Sequence, residues 1–462
     1  MTLHNSDIGV ASTPRVASVR LSVAHMEQGA TRLLKKLVWI YFLLLIFEGA
    51  LRKWFLPGLA TPLLVVRDPI AGLILVMSWR NGLLPSTPYL FGMVLVTVVA
   101  ALAALAFGHA NLWVTLYGAR ILILHYPIIF AIGKIFTRED VIQIGRAMLW
   151  LAIPMAVLII LQFYSPQSAW VNRGVGGDVE GAGFSGAMGF YRPAGTFSFT
   201  NGTTLFFGLA ASFILAFWMQ VAPVSRMLLI LATGSLIVAI PLSISRSLFF
   251  GVGVSLLFTG LALMRNPRFL LRLVWALAGI VVLLVVLNQY DFFRKAIEVF
   301  TARFVMANES EGGLDGVLLD RYFGGLLGAI SQSATLPFFG YGLGLGTNVG
   351  SMLTRGEVLY LIAEGEWGRL VGELGPFLGI VVIALRLGLS AKLSFAAYFR
   401  IKRGDLLPWI LLSFGLLVIP QGQWGQPTTL GFSCLTGGLI IASFRRIVRA
   451  QRENITTKNT AT

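Results

Sequence analysis

One cysteine, four histidines and 12% charged residues are all that a chain of 462 residues offers to chemistry that depends on those groups. The lone Cys434 excludes any intrachain disulfide, and its apolar surroundings suit a small hydrophobe better than a redox or metal-binding thiol. Asp178, Glu180, Glu309, Glu311, Asp315 and Asp320 lack the spacing of a calcium loop and read as solvated surface. A cleavable signal is not expected either, because the first apolar run, residues 37–50, follows more than thirty polar and basic residues and has no small-residue cleavage site after it. With so little charge, 56% hydrophobic residues and a mean hydropathy of +0.80, a soluble fold is excluded. A nucleic-acid binder would need a soluble basic face, which is missing.

What the chain has instead is apolar stretches of spanning length, at about 37–56, 62–78, 88–107, 112–133, 143–163, 202–221, 227–243, 247–264, 270–287, 374–391, 406–420 and 428–444. They predict an all-α polytopic membrane bundle of about 12 spanning helices, with a long outward-facing loop that contains short helices. Residues 1–36 and 445–462 become basic cytoplasmic tails around a single transmembrane domain, 37–444. With the N-terminus inside, the inner segments and adjoining helix ends hold 23 of the 36 Lys and Arg but 6 of the 20 Asp and Glu, a net of +17 against −1 elsewhere. Positive charge marks the cytoplasmic side, so both termini are expected there. The polar loops 164–201 and 288–373 then face outward, where long ordered loops usually carry function.

Against that rule, a set of basic residues gathers at the outer face. Arg52, Lys53 and Arg67 flank the first outer turn, Arg120 lies in the outer half of the fourth span, and Arg192, Arg246, Arg321 and Arg369 follow. A charge near the bilayer centre costs roughly 2.5–3.5 kcal/mol on insertion scales, so these need partners or a purpose. Glu48 with Arg52, and Arg67 with Asp68, read as structural pairs. Arg192 and Arg246 have no acidic residue within four positions in sequence and are the better candidates for an anionic ligand, above all a phosphate, which a guanidinium grips with two parallel hydrogen bonds.

The long loop holds RYFGGLLGAI and then LPFFGYGLGLG, whose glycines allow close backbone approach and could turn several N–H groups toward an anion. It re-enters through AEGEWGRLVGELGPFLG, where Glu366, Arg369 and Glu373 share one helix face. Tyr191, Trp170, Trp367 and Trp424 are candidates for stacking on sugar rings or for an interfacial aromatic belt.

Taken with GFYRPAGTFSFTNG and PLSISRSLFF, these blocks resemble, in order and spacing, the O-antigen ligase and Wzy-type polysaccharide polymerase superfamily, over about residues 187–255 and 318–385. The resemblance implies a glycosyltransferase of the bacterial inner membrane that takes an oligosaccharide from polyprenyl diphosphate and moves it to an acceptor glycan, without nucleotide, metal or other cofactor. Membrane lipids, regulators of chain length and export proteins are its implied partners. Arg192, Arg246, Arg321 and Arg369 would hold the diphosphate, with Arg120 and Glu373 in support. The ligases of that group are expected to carry a histidine base near the end of the long loop. Here His4, His25, His109 and His125 all lie elsewhere, and Glu364 and Glu366 take the comparable place, Glu366 being preferred as base. That departure favours polymerisation over ligation to lipid A core. A polysaccharide exporter or flippase, or a scaffold of a secretion complex, are the readings of other classes, but no inverted repeat is visible.

The charge partition makes a prediction. In a Cys434→Ser background, single cysteines at Ser185 and Ser310 should react with an impermeant maleimide on permeabilised-outer-membrane cells, and those at Ser22 and Thr457 should not. The opposite labelling would invert the topology.

Overall fold

The computed structural model describes residues 14–220, 224–265, 270–311, 325–332, 336–356, 362–363 and 365–445. Helices dominate: α1 (Pro14–Ala50), α2 (Ala60–Leu63), α3 (Arg67–Arg80), α4 (Pro88–Ala106), α5 (Leu112–Arg120), α6 (Ile128–Ile135), α7 (Arg138–Tyr164), α8 (Thr200–Met219) and α9 (Arg226–Leu242) form the first half. The second comprises α10 (Arg246–Arg265), α11 (Leu270–Leu287), α12 (Asp291–Glu311), α13 (Gly325–Gln332), α14 (Asn348–Arg355), α15 (Glu366–Ile401), α16 (Leu407–Val418) and α17 (Pro427–Ser443). The described strands are β1 (Phe184–Ser185) and β2 (Tyr191–Arg192), paired antiparallel. The twelve apolar stretches fall mainly on helix, those at 62–78 and 112–133 each running over two helices and the turn between them, and among the described residues seven helices are long and apolar enough to cross a membrane.

Local chemistry sets several of the boundaries. Asn111 caps α5 by accepting from the backbone of Trp113 and Val114, and Thr137 with Asp140 closes a capping box on α7, each satisfying amides that have no partner within the helix. The α5–α6 stretch is interrupted at residues 121–125 by a π-helical turn, which carries His125.

The centre of the bundle is α17, packed on α6, α8 and α16. Small residues allow that approach: a Cβ on Gly438 would stand 2.6 Å from the Cβ of Ile132. Contacts between connections define two ends. At the tail end, Arg138 grips Asp405 with bonds of 2.7 and 2.6 Å, and Gln220 Nε2 donates to the Gly404 carbonyl at 2.8 Å. At the loop end, Arg52 donates to Ser198 at 3.0 Å, His109 Nε2 lies 3.1 Å from the Leu343 carbonyl oxygen, and Asn201 Nδ2 donates to Thr429 at 3.0 Å.

Two features depart from the sequence reading. The polar excursion after α11 is in part a long helix: α12 has 21 residues, and it buries Phe293, Ala296 and Val299 against the bundle while packing on α9. More consequential is α15, which is not one rod. Gly375 takes φ 79° and ψ 170°, a conformation essentially reserved for glycine, and Pro376 follows it. Twenty residues of continuous helix would separate Glu366 from Arg386 by about 30 Å, yet Arg386 Nη1 donates to Glu366 Oε1 at 2.5 Å. The chain therefore doubles back at Gly375. A short arm, residues 366–374, lies against the start of a long arm, residues 376–401, so closely that a Cβ on Gly379 would meet Val371 Cα at 2.7 Å.

A helix broken inside apolar surroundings leaves carbonyls that must find donors. The glycine-rich loop supplies them: Tyr341 N donates to Gly372 O at 2.8 Å and Gly342 N to Glu373 O at 3.1 Å. The reversal and the loop depend on each other, since a Cβ on Gly375 would sit 2.0 Å from the carbonyl oxygen of Phe338. Gly375→Ala should therefore lower stability by about 3 kcal/mol or more, read as lost monodisperse protein and an earlier thermal transition in detergent. Gly234→Ala, in α9 with open space around its Cα, is the control and should be neutral or stabilising by up to about 1 kcal/mol. Equal behaviour of the two variants would remove the reversal as a constraint.

Candidate functional site

The short arm of α15 brings four buried charges together. Glu366 accepts from Arg369 Nε and Nη2 at 2.9 Å each, from Arg386 Nη1 at 2.5 Å, and from the backbone N–H of Trp424 at 3.1 Å. Arg369 Nη1 turns to Glu373 at 2.8 Å, and Glu373 also accepts from Gly346 N at 2.9 Å and Gly344 N at 3.2 Å. Arg386, 0% exposed, completes its bonding at the carbonyls of Ile419 (2.9 Å) and Gly422 (3.0 Å) and lies 3.8 Å from the ring centre of Trp424. Buried charges survive only when paired and hydrogen-bonded on all sides, and here two guanidinium groups and two carboxylates balance to zero.

That arrangement corrects several expectations. Glu366 does not stand free at the water as a base: its side chain is 0% exposed and both oxygens are filled by four donors, so no lone pair is left for a substrate proton. Arg369 has both carboxylates as partners, not one. The glycine loop does turn N–H groups toward an anion, but that anion is the chain's own Glu373. Trp424 and Trp367 are buried, Trp424 serving as the platform under Arg386. Arg321 and Glu364 lie outside the described residues.

A second cluster stands at the loop end of α1 and α3. Glu48 accepts from Arg52 at 3.4 Å and from Arg67 at 3.1 Å, while Asp68 accepts two bonds from Arg120, at 2.6 and 2.8 Å, and lies 2.9 Å from His125 Nε2. Arg67 and Asp68 are thus not each other's partners, because adjacent residues on a helix point about 100° apart. His125 Nδ1 meets the hydroxyl of Tyr41 at 3.1 Å, so both ring nitrogens are engaged. Lys53 is 0% exposed, and its Nζ donates to the Gly195 carbonyl at 2.7 Å. In this cluster four cations, Arg52, Lys53, Arg67 and Arg120, face two carboxylates.

Arg192 sits half-buried on β2, and Arg246 half-buried at the start of α10. The hairpin of Arg192 packs on the corner before Arg246, where a Cβ on Gly186 would reach Ile244 Cδ1 at 2.7 Å. Ile244 itself has φ 48°, a left-handed conformation that a β-branched residue adopts at a cost of about 1–3 kcal/mol.

The first turn of α8 joins these regions. Thr204 bonds Ser245 at 2.9 Å beside Arg246, and Asn201 reaches Gln426 (3.4 Å) and Thr429 (3.0 Å) beside the cleft of the short arm. That open cleft is lined by Gly346, Asn348, Glu366, Arg369, Gln423 and Gln426, among others. Sequence reasoning missed Arg386, Gln423, Gln426 and Asn201. A signal existed for the first three: a lone arginine inside VVIALRLGLS, and the polar run QGQWGQP between two apolar segments.

The saturation of Glu366 yields a prediction opposite to that for a base. Glu366→Gln removes the carboxylate between two buried guanidinium groups and should cost about 3–5 kcal/mol of stability. Adding Arg386→Met should recover a good part of it, measured as thermal unfolding of purified protein. A Glu366→Gln protein as stable as the parent would show that the carboxylate is no anchor.

No protein-family model matches this chain, and no curated protein does.

Proposed function

We propose that the protein is a membrane glycosyltransferase that takes an oligosaccharide from a polyprenyl diphosphate at the outer face of the bacterial inner membrane and transfers it to an acceptor glycan, extending a polysaccharide. In this reading the twelve apolar helices all cross the membrane, both termini are cytoplasmic, and the loop end faces outward. Ligation to lipid A core is the narrower alternative. The observation that carries the proposal is the meeting, around the first turn of α8, of a cation-rich cluster, two further arginines and a charge-balanced cleft.

The chemistry asks for such an arrangement. The bond between the anomeric carbon and the diphosphate oxygen breaks, its electron pair leaves with the diphosphate, and the acceptor hydroxyl forms the new bond while its proton passes to the departing diphosphate. Charge grows on the leaving group, and cations already fixed in place stabilise it without reorganising. Arg192, three residues before the Gly195 carbonyl that Lys53 holds, and Arg246, next to the Ser245 that bonds Thr204, serve that role. Arg369 and Arg386 are neutralised by their carboxylates and act as architecture. Glu366, with four donors on its oxygens, and Glu373, with three, assist by holding the site's shape.

Arg192→Lys and Arg246→Lys should each reduce transfer about 10²–10³-fold while the protein stays folded, because a point charge does not replace a planar fork. The assay is polymer length on a gel from purified protein and lipid-diphosphate-linked repeat units. Parental ladders from either variant at matched amounts would take that arginine out of the site, and no ladder from the parent protein would overturn the function.

A further inference from the structure

Residues 193–197, between Arg192 and the start of α8, are all buried. At their centre Gly195 takes φ 60°, and a Cβ there would stand 2.9 Å from Met155 Sδ and 3.0 Å from Thr203 Oγ1. Its N–H and carbonyl are held from two helices. Gln162, 2% exposed in the last turn of α7, accepts the Gly195 N–H on Oε1 at 2.7 Å. Its Nε2 donates to the Gly195 carbonyl at 3.2 Å and to the Val171 carbonyl at 2.8 Å. Lys53, at the end of the first span, gives the same Gly195 carbonyl a second donor at 2.7 Å. α1 grips the residues that follow: Thr196 Oγ1 donates to Ile46 O at 2.6 Å, and a Cβ on Gly49 would meet Ser198 N at 2.3 Å.

One amide thus ties both ends of the outer loop, Val171 near its beginning and Gly195, 24 positions further on, near its end. The β1–β2 hairpin with Arg192 hangs between the two ties. The amide has one orientation, since turning it over would set its NH2 against the Gly195 N–H. Between the tie and Arg192 stand only Pro193, whose φ is fixed by its ring, and Ala194, both buried. The backbone of Arg192 therefore takes its place from Gly195. We propose that Gln162 and Lys53 are positioning residues for Arg192: they hold the Gly195 peptide, and through it the point from which the guanidinium reaches out. Their effect on transfer rests on the glycan-transfer reading, whereas their effect on the hairpin's position does not.

The full-length protein in detergent, with Cys434→Ser removing the native thiol, is spin-labelled at Ser185→Cys on β1 and Leu112→Cys at the start of α5, both exposed positions. Double electron–electron resonance then reads the hairpin's position. The parent should give one narrow distance peak, and Gln162→Leu and Lys53→Met should each broaden or displace it. Gln220→Leu, which loses amide bonds of the same kind to Gly404 and Leu407 at the tail end, should leave the peak unchanged. Lys53→Met decides alone if Gln162→Leu does not fold. In the transfer assay Gln162→Leu should lose about 10²-fold, the effect of a displacement of about 1 Å at a reacting centre. It should add almost nothing to the loss in Arg192→Lys, because residues that act through one another are not additive. Unchanged peaks in the folded variants, a change of the same size in Gln220→Leu, or an equal further loss in the Arg192→Lys background overturns the proposal. A parent that forms no polymer would sink the transferase reading and leave the distance measurement to decide this one.

Discussion

The ion pair between Glu366 and Arg386 is the constraint on which the loop end depends. It closes across a reversal of the chain at Gly375, and it draws in the carbonyls of Ile419 and Gly422 and the backbone N–H of Trp424, so the α16–α17 connection is held in the same bond network. In water such a pair would be worth little. Inside an apolar bundle the alternative to pairing is a bare charge, so the geometry is enforced by what its loss would expose. The glycine-rich loop is the other half of that constraint, since it supplies donors to the carbonyls that the reversal frees and to Glu373.

The two clusters share an environment but have different charge balances. Where cations equal carboxylates, around Arg369, the charges build the backbone's path. Where cations exceed carboxylates, around Lys53 and Arg67, the excess projects a field that a rigid protein can direct at a ligand. Lys53 shows the distinction well, because its ammonium is buried on a carbonyl at the turn that follows Arg192, and Arg52 beside it holds Ser198 in the same turn.

Much of this was legible in the sequence, and the limits have physical reasons. Hydropathy located the helices because the cost of an unsatisfied backbone in lipid leaves few alternatives. Helical spacing placed Arg369 with Glu366 and Glu373, since residues three and four apart share a face. Which side of that face is buried was not legible, because it is decided by Arg386 and Trp424, residues 17 and 55 positions beyond Arg369 in sequence. The sequence reading took 374–391 as one uninterrupted span, because the reversal at Gly375 and Pro376 depends on the loop at Phe338–Gly346 finding the freed carbonyls, a contact between segments about thirty residues apart. Arg67 and Asp68, adjacent in sequence, were read as a pair and are not, because each finds its partner on another part of the bundle.

The start of α8 carries Asn201 toward Gln426 and Thr204 toward Ser245, three residues apart and so on one face of the helix. A rigid helix that touches both regions acts as a ruler between them. The spacing of the two contacts is set by the backbone of that turn, so the side chains around Gln426 can change without moving the corner at Ser245, and only a change in α8 itself would shift both together.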